Sequence, residues 1–232
     1  DTLDLPYGHH AIYPIVRVTN DVAQEVNLIA DRDQIDLILL GWHRPAFSKN
    51  RLGGRVGQIL STARADVAVF VDRQHGKLEN LLVPYMPNIH NDLGLEIALR
   101  LLVNCRNTSL TVLRVTQEQT SNTLTHEFRQ LLEQLPASVR DRIHTPLLGA
   151  SNPLEAVIEA SGQADLTIAG ASREWGLDRQ TLGFYTDELA VRCHSSLLIT
   201  RRYNQVTSHL ASVLETSGLE PDASSEKPEV GA

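Results

Sequence analysis

Several protein classes are excluded by what the sequence lacks. Cysteine occurs only twice, at Cys105 and Cys193, far apart and outside any CxxC pair. Neither a disulfide framework nor a zinc site is therefore expected, and a reducing cytosol is the natural setting. The longest apolar runs, LILLGW and VAVFV, fall far short of the roughly 20 residues of a membrane helix. No signal peptide is recognisable at the start. Positive charge is scarce: 21 Lys and Arg against 28 Asp and Glu leave a formal charge of −7. That balance argues against a general nucleic-acid binder, which needs clustered cations over a broad face. GGRVGQ lacks the Gly-Lys pair of a phosphate-binding P-loop, and GxSxG is absent. Ser48 and Ser172 have no evident base, so the chain is read as a non-enzyme. His9 and His10 are adjacent and diverge, so no metal is expected.

What remains is an ordinary soluble composition, 42% hydrophobic and 21% charged over 232 residues, enough for one or two domains. Within it lies an internal repeat. IDLILLGWHR (35–44) recurs as ADLTIAGASR (164–173), so Asp36/Asp165, Gly41/Gly170 and Arg44/Arg173 all fall 129 positions apart. The same offset carries Gly54 onto Gly183 and VAVFV (67–71) onto SLLIT (196–200). In the second copy, taken from residue 77, 93 residues precede the glycine, but only 40 precede Gly41. The first copy is thus expected to lack its opening strands, and the chain, which starts at Asp1, to be cut from a longer polypeptide. The expected division is a partial first repeat over 1–76, a complete second repeat over 77–203, and a tail over 204–232. In that tail a helix is expected over 205–216 and disorder from Gly218.

The second copy alternates strands and helices. Strands are expected at 78–86, 109–116 and 143–148, and helices at 93–104, 123–134 and 152–161. The first copy supplies a strand over 11–18, a helix over 21–30, a strand at 36–41, a helix over 55–64 and the strand 67–71. Consecutive apolar residues separated by helices predict an α/β fold with a parallel sheet covered on both faces.

Gly41 and Gly170 end a strand, where open α/β sheets bind ligands. Gly54 and Gly183 precede a helix whose unpaired amides and dipole favour phosphate. The first copy places Arg44, Lys49, Arg51 and Arg55 in this stretch with no acid; the second balances Arg173 and Arg179 with Glu174 and Asp178. Asp187 and Glu188 then open its helix and would repel phosphate. The first loop is therefore the expected anion site and the second a weaker one. The phosphate set comprises Gly41, His43, Arg44, Lys49, Arg51, Gly53, Gly54, Arg55, Gly170, Ser172, Arg173 and Gly183. Tyr85, Met86, Val115 and Thr116, at strand ends, are the expected base-binding residues, and Trp42 is read as packing. A basic loop that is merely solvated surface is the alternative.

At these residues the chain resembles the universal stress protein family, doubly wound α/β domains of the adenine nucleotide alpha hydrolase-like kind that often bind ATP or AMP. The family pattern is glycine, two residues, glycine, nine residues, glycine, then Ser or Thr. Here it reads Gly41, Arg44, Gly54, Arg55 in the first copy and Gly170, Arg173, Gly183, Phe184 in the second. Where the family has VPxDGS this chain has Val83 to Asn88, reading VPYMPN. DLILLGWHRP, GGRVGQIL, DVAVFVDR, LLVPY and GASRE are similar to the tandem tails of cation/proton antiporters. The resemblance implies a regulatory domain on the cytoplasmic face, fused to a membrane transporter domain. It would bind AMP, ATP or cyclic di-AMP, the last as a ligand of two fused half-sites. The resemblance also implies dimerisation through the last strand, either as a homodimer or within one chain between 67–71 and 196–200. A degenerate dimerisation scaffold is the competing reading, and a weak nucleotide hydrolase a third.

Overall fold

The computed structural model describes residues 14–42, 54–73, 76–116, 126–171 and 184–203. The expected helix at 205–216 and the tail lie outside them. In chain order the elements are α1 (Val22–Asp33), β1 (Leu37–Gly41), α2 (Gly54–Thr62), β2 (Asp66–Val71), β3 (Asn80–Pro84), α3 (Ile89–Asn104), β4 (Ser109–Thr116), α4 (His126–Gln134), α5 (Ala137–Arg140), β5 (Ile143–His144), β6 (Leu147–Gly149), α6 (Pro153–Ala160), β7 (Leu166–Gly170), α7 (Phe184–Arg192) and β8 (Ser196–Arg201). The helix starts follow capping chemistry. Asp21 accepts from the Gln24 amide ahead of α1, and Asn152 accepts from Glu155 ahead of α6, where Pro153 takes a first-turn position that needs no donor.

The strands form one sheet in the order β1-β2-β8-β7-β3-β4-β5, with β6 pairing β4 separately. Every pairing is parallel except β2 with β8. The α/β class and the largely parallel sheet match the expectation. Helices α1, α2, α6 and α7 pack on one face, burying Ile59, Leu60, Val157 and Leu189. Helices α3, α4 and α5 pack on the other, burying Leu95, Leu99, Phe128 and Val139. Coverage is unequal: β7 is buried along its length, whereas Leu37 and Leu39 of β1 stay exposed.

The strand expected over 11–18 is not formed in its described part. Residues 14–18 carry no strand, and Val16 and Val18 are solvent-exposed. The physical reason lies in the partner. β6, which leads into α6 as this segment leads into α1, pairs with β4; no such strand stands beside 14–18 among the described residues.

The antiparallel seam has an internal two-fold character. Val69 faces Ile199, and the pairs on either side, Val67 with Arg201 and Val71 with Leu197, mirror one another about it. The Arg73 amide donates to Ser196 Oγ (3.1 Å) and the Tyr203 amide to an Asp66 carboxylate oxygen (2.8 Å). These bonds repeat at a shift of 130 residues, not 129. Asp66 donates its amide to the Asp36 carbonyl, and Ser196 does so to Asp165. The helices α2 and α7 also start 130 apart. One extra residue therefore lies between Ala171 and α7 compared with the stretch between Trp42 and α2. Gly54 corresponds to Phe184, and by the same shift Gly183 corresponds to Gly53. This corrects the expected pairing of Gly54 with Gly183.

A buried charge cluster locks the seam to α3. Arg202 bonds Glu96, both nearly inaccessible, and lies 3.6 Å from Asp66. Its amide donates to His90 Nδ1 at 3.0 Å. Removing one partner from such a cluster leaves an uncompensated buried charge, so it restrains the geometry of β8 against α3.

Candidate functional site

Parallel strands leave their carboxyl ends open to ligands where helices diverge. Here β3, β4 and β7 end around a cavity of about 270 Å³. Its floor is Leu113, Val115 and Ala169, and its walls are Leu154 and Val157 of α6 with Tyr185 and Leu189 of α7. Pro84, Tyr85, Met86 and Asn91 close the β3 side. The lining is chiefly apolar, suited to a flat ring rather than a phosphate.

Asn91 organises the polar edge. Its Nδ2 donates to the Met86 carbonyl at 2.7 Å, and its Oδ1 accepts the Gly170 amide at 2.9 Å. The end of β3 is thereby tied to the end of β7. A Cβ on Gly170 would sit 2.4 Å from the Asn91 amide nitrogen, so only glycine fits this approach. The amide expected to face an anion is instead committed to a side chain. Asn88 caps α3 in the same way, accepting from the His90 and Asn91 amides at 3.0 Å each.

Of the expected base-binding residues, Tyr85, Met86 and Val115 line the cavity. Thr116 does not, and its carbonyl accepts the Ala150 amide beside β6. Tyr85 turns its ring into the opposite core, stacked 5.9 Å from Phe128, and donates its hydroxyl to Asp92 at 2.9 Å. Met86 is half exposed at the rim. Asn91 was not anticipated from the sequence. An Asn inside an apolar helix just after a strand was the available signal.

In the first half, Gly41 ends β1, and a Cβ there would meet nothing within 4 Å among the described residues. Trp42 packs partly buried against the core, as read, and donates its amide to the Phe70 carbonyl. Gly54 and Arg55 open α2 at the surface, with no acid in the first turn; Asp187 occupies the first turn of α7. His43, Arg44, Lys49, Arg51, Gly53, Ser172, Arg173 and Gly183 lie outside the described residues. Because β2 and β8 run in opposite directions, β1 and β7 point their carboxyl ends to opposite ends of the sheet. The roots of the two loops therefore diverge, which removes the geometric case for one ligand held between two half-sites.

Among the described residues, no group of three or more His, Cys, Asp or Glu is placed to hold a metal, and no helix is long and apolar enough to cross a membrane. Burial pushes the Arg201 guanidinium down from its ordinary value, with Asp66 acting in the opposite sense.

Comparison with solved structures defines the fold class. The chain is similar to a universal stress protein from Archaeoglobus fulgidus DSM 4304, with TM-score 0.57 and 16% identity over 78% of this chain. It is also similar to a putative universal stress protein from Pseudomonas aeruginosa UCBPP-PA14, with TM-score 0.51, 15% identity, and 87% and 74% of the two chains covered. A functionally unknown protein from Pseudomonas aeruginosa PAO1 gives the same values. The chain spans about 65% of the length of the Archaeoglobus protein. No family model and no curated protein matches the sequence. The fold is that of the universal stress proteins.

Proposed function

We propose that this chain is a non-enzymatic regulatory domain that binds an adenine nucleotide and modulates an attached cation/proton antiporter from its cytoplasmic face. The observation that carries the binding reading is the apolar cavity where β3, β4 and β7 end, open between α6 and α7. Its volume suits a base and part of a ribose, leaving phosphates to lie outside it. Ser172, Arg173 and Gly183 belong by sequence to the connection from Ala171 to Phe184, and are the proposed phosphate contacts there. A second, separate anion site is proposed at Gly41, Gly54 and Arg55 together with His43, Arg44, Lys49, Arg51 and Gly53 of the sequence that connects them. AMP, ATP and cyclic di-AMP remain the candidate ligands, now as ligands of one unit. The antiporter assignment rests on the sequence resemblance alone.

The scaffold reading draws on Asn91, which occupies the Gly170 amide without any ligand. Homodimerisation through the last strands loses its main support, since β2 and β8 pair with each other inside one chain.

Calorimetry at low salt with AMP, ATP and cyclic di-AMP separates these readings. Val115→Trp fills the cavity, and Arg44→Glu with Arg55→Glu reverses charge at the first loop. Binding abolished by Val115→Trp alone supports the β3–β4–β7 cavity, and binding abolished by the double charge reversal alone supports the first loop. No heat with any ligand would falsify the sensor and leave the scaffold. Magnesium-dependent phosphate release from the same samples would establish the hydrolase instead.

A further inference from the structure

Three helices begin around the β3–β4–β7 cavity, and each lines it with a residue of its first turn: α3 with Asn91, α6 with Leu154 and α7 with Tyr185. A helix N-terminus attracts phosphate through unpaired amides and its dipole. At all three ends that attraction is already met from within the chain. Asp92, Glu155 and Asp187 each place a carboxylate in the first turn of their own helix. Asn88 also occupies two amides of α3, and Asn152 one of α6. The strand end is committed as well, since the Gly170 amide goes to Asn91 Oδ1 and the Ala171 amide to the Thr200 carbonyl at 2.8 Å. In the other half, by contrast, α2 opens with no acid in its first turn.

No cation compensates for these carboxylates. Among the described residues no charged side chain lines the cavity. Arg192, in the last turn of α7, grips Glu155 and lies 3.9 Å from Glu188. The connection from β7 to α7 carries Arg173 and Arg179 against Glu174 and Asp178, so it adds no net charge. Resting on the reading that this cavity binds an adenine nucleotide, we propose that it recognises the nucleoside alone: ring and ribose supply the affinity, and phosphate adds none. Apolar walls favour burial of an uncharged ring. A phosphate chain at the mouth meets three carboxylate-bearing helix ends, whose repulsion offsets whatever Ser172 and Arg173 donate. Further phosphates bring charge without a matching cation, so affinity falls from adenosine and AMP to ATP.

Calorimetry on the 232-residue chain with adenosine, AMP and ATP at low salt tests this. Competition of adenosine against AMP defines the shared site without any substitution, and Val115→Trp gives the blocked control. Adenosine and AMP should bind within about threefold of each other, and ATP about threefold or more weaker. Raising the salt to about 0.5 M should close that gap, because screening removes a repulsion rather than an attraction. AMP or ATP binding more than about threefold tighter than adenosine, with the advantage lost in salt, overturns the proposal and leaves the cavity reading intact. Failure of adenosine to displace AMP overturns it too, since the two would then occupy different places. Absence of binding by all three removes the proposal and the cavity reading together.

Discussion

The units β1–α2–β2 and β7–α7–β8 have the same element lengths, five, nine and six residues, and pair with each other across a local two-fold. Their surroundings differ. β7 is enclosed on both faces and its glycine amide is clamped by Asn91, whereas β1 is covered on one face and a Cβ on its glycine would meet nothing within 4 Å among the described residues. The same local chain geometry is thus embedded in a full core on one side of the seam and in half a core on the other. Local sequence sets strand, loop and helix; the layers beyond set how much each residue stabilises.

Truncating the counterparts Ile168 and Leu39 should break the comparison most clearly. Ile168 is inaccessible beneath α3, so Ile168→Ala removes packed methyl groups and should cost about 2–5 kcal/mol. Leu39→Ala removes a side chain already mostly in water and should change stability by less than about 0.5 kcal/mol. Urea unfolding of both variants measures this. Equal losses would mean that β1 is covered after all.

The two strand-end glycines give a sharper, smaller contrast. Gly170→Ala forces a methyl group to 2.4–2.5 Å from the Asn91 amide nitrogen and the His90 carbonyl carbon, backbone atoms that no side-chain rotation moves away, and to 2.5 Å from Asn91 Oδ1. Such overpacking costs about 1–3 kcal/mol, and it should also shift Asn91 and reshape the cavity mouth. Gly41→Ala meets nothing within 4 Å among the described residues and has no positive φ, so it should be neutral. Thermal melts of the pair, with calorimetry for any ligand found, read both consequences. A destabilised Gly41→Ala would show a close approach that the open surroundings do not contain.

Much of this was legible in the sequence. The helix expected over 55–64 is α2, with Ile59 and Leu60 buried, and the repeat marked the strands that form the seam. The register was not, because the Gly53–Gly54 doublet lets either glycine match Gly183 and conceals a one-residue difference in loop length. Asn91 escaped because its partner, Gly170, lies 79 positions away, and no local pattern links a helix residue to a strand end at that distance. Tyr85, expected to contact a base, lines the cavity, yet its ring faces the other core. Strand alternation gives two choices of face, and the contact with Phe128 decides between them. The exposure of Leu39 depends on which layers stand beside it, which its own residues do not encode.

Each half also ties its two helices on the shared face with an acid and an arginine, and here the contrast is expected to be smallest. Arg192 at the end of α7 grips Glu155 of α6 through two bonds of 2.6 Å, whereas Arg64 after α2 reaches Asp31 of α1 at 3.3 Å. Bidentate geometry makes the first pair the stronger, though both are exposed and screened by salt. The bonds from Arg192 hold the Glu155 carboxyl below its ordinary range, against a weaker opposing effect of desolvation. A carboxyl depressed in the folded state stabilises above its unfolded pKa, and that contribution disappears as pH falls through the folded value. Glu155→Gln should therefore lower the melting temperature slightly at neutral pH and low salt, more than Asp31→Asn does. The difference from the unsubstituted chain should close as the pH drops below the carboxylate range or as salt is raised. Melting curves over pH for the three proteins test this ranking, and an equal or larger loss from Asp31→Asn would reverse it. Since α6 and α7 wall the cavity, loosening this clasp should also be felt there first, as a faster exchange of amides in α7 than in α2.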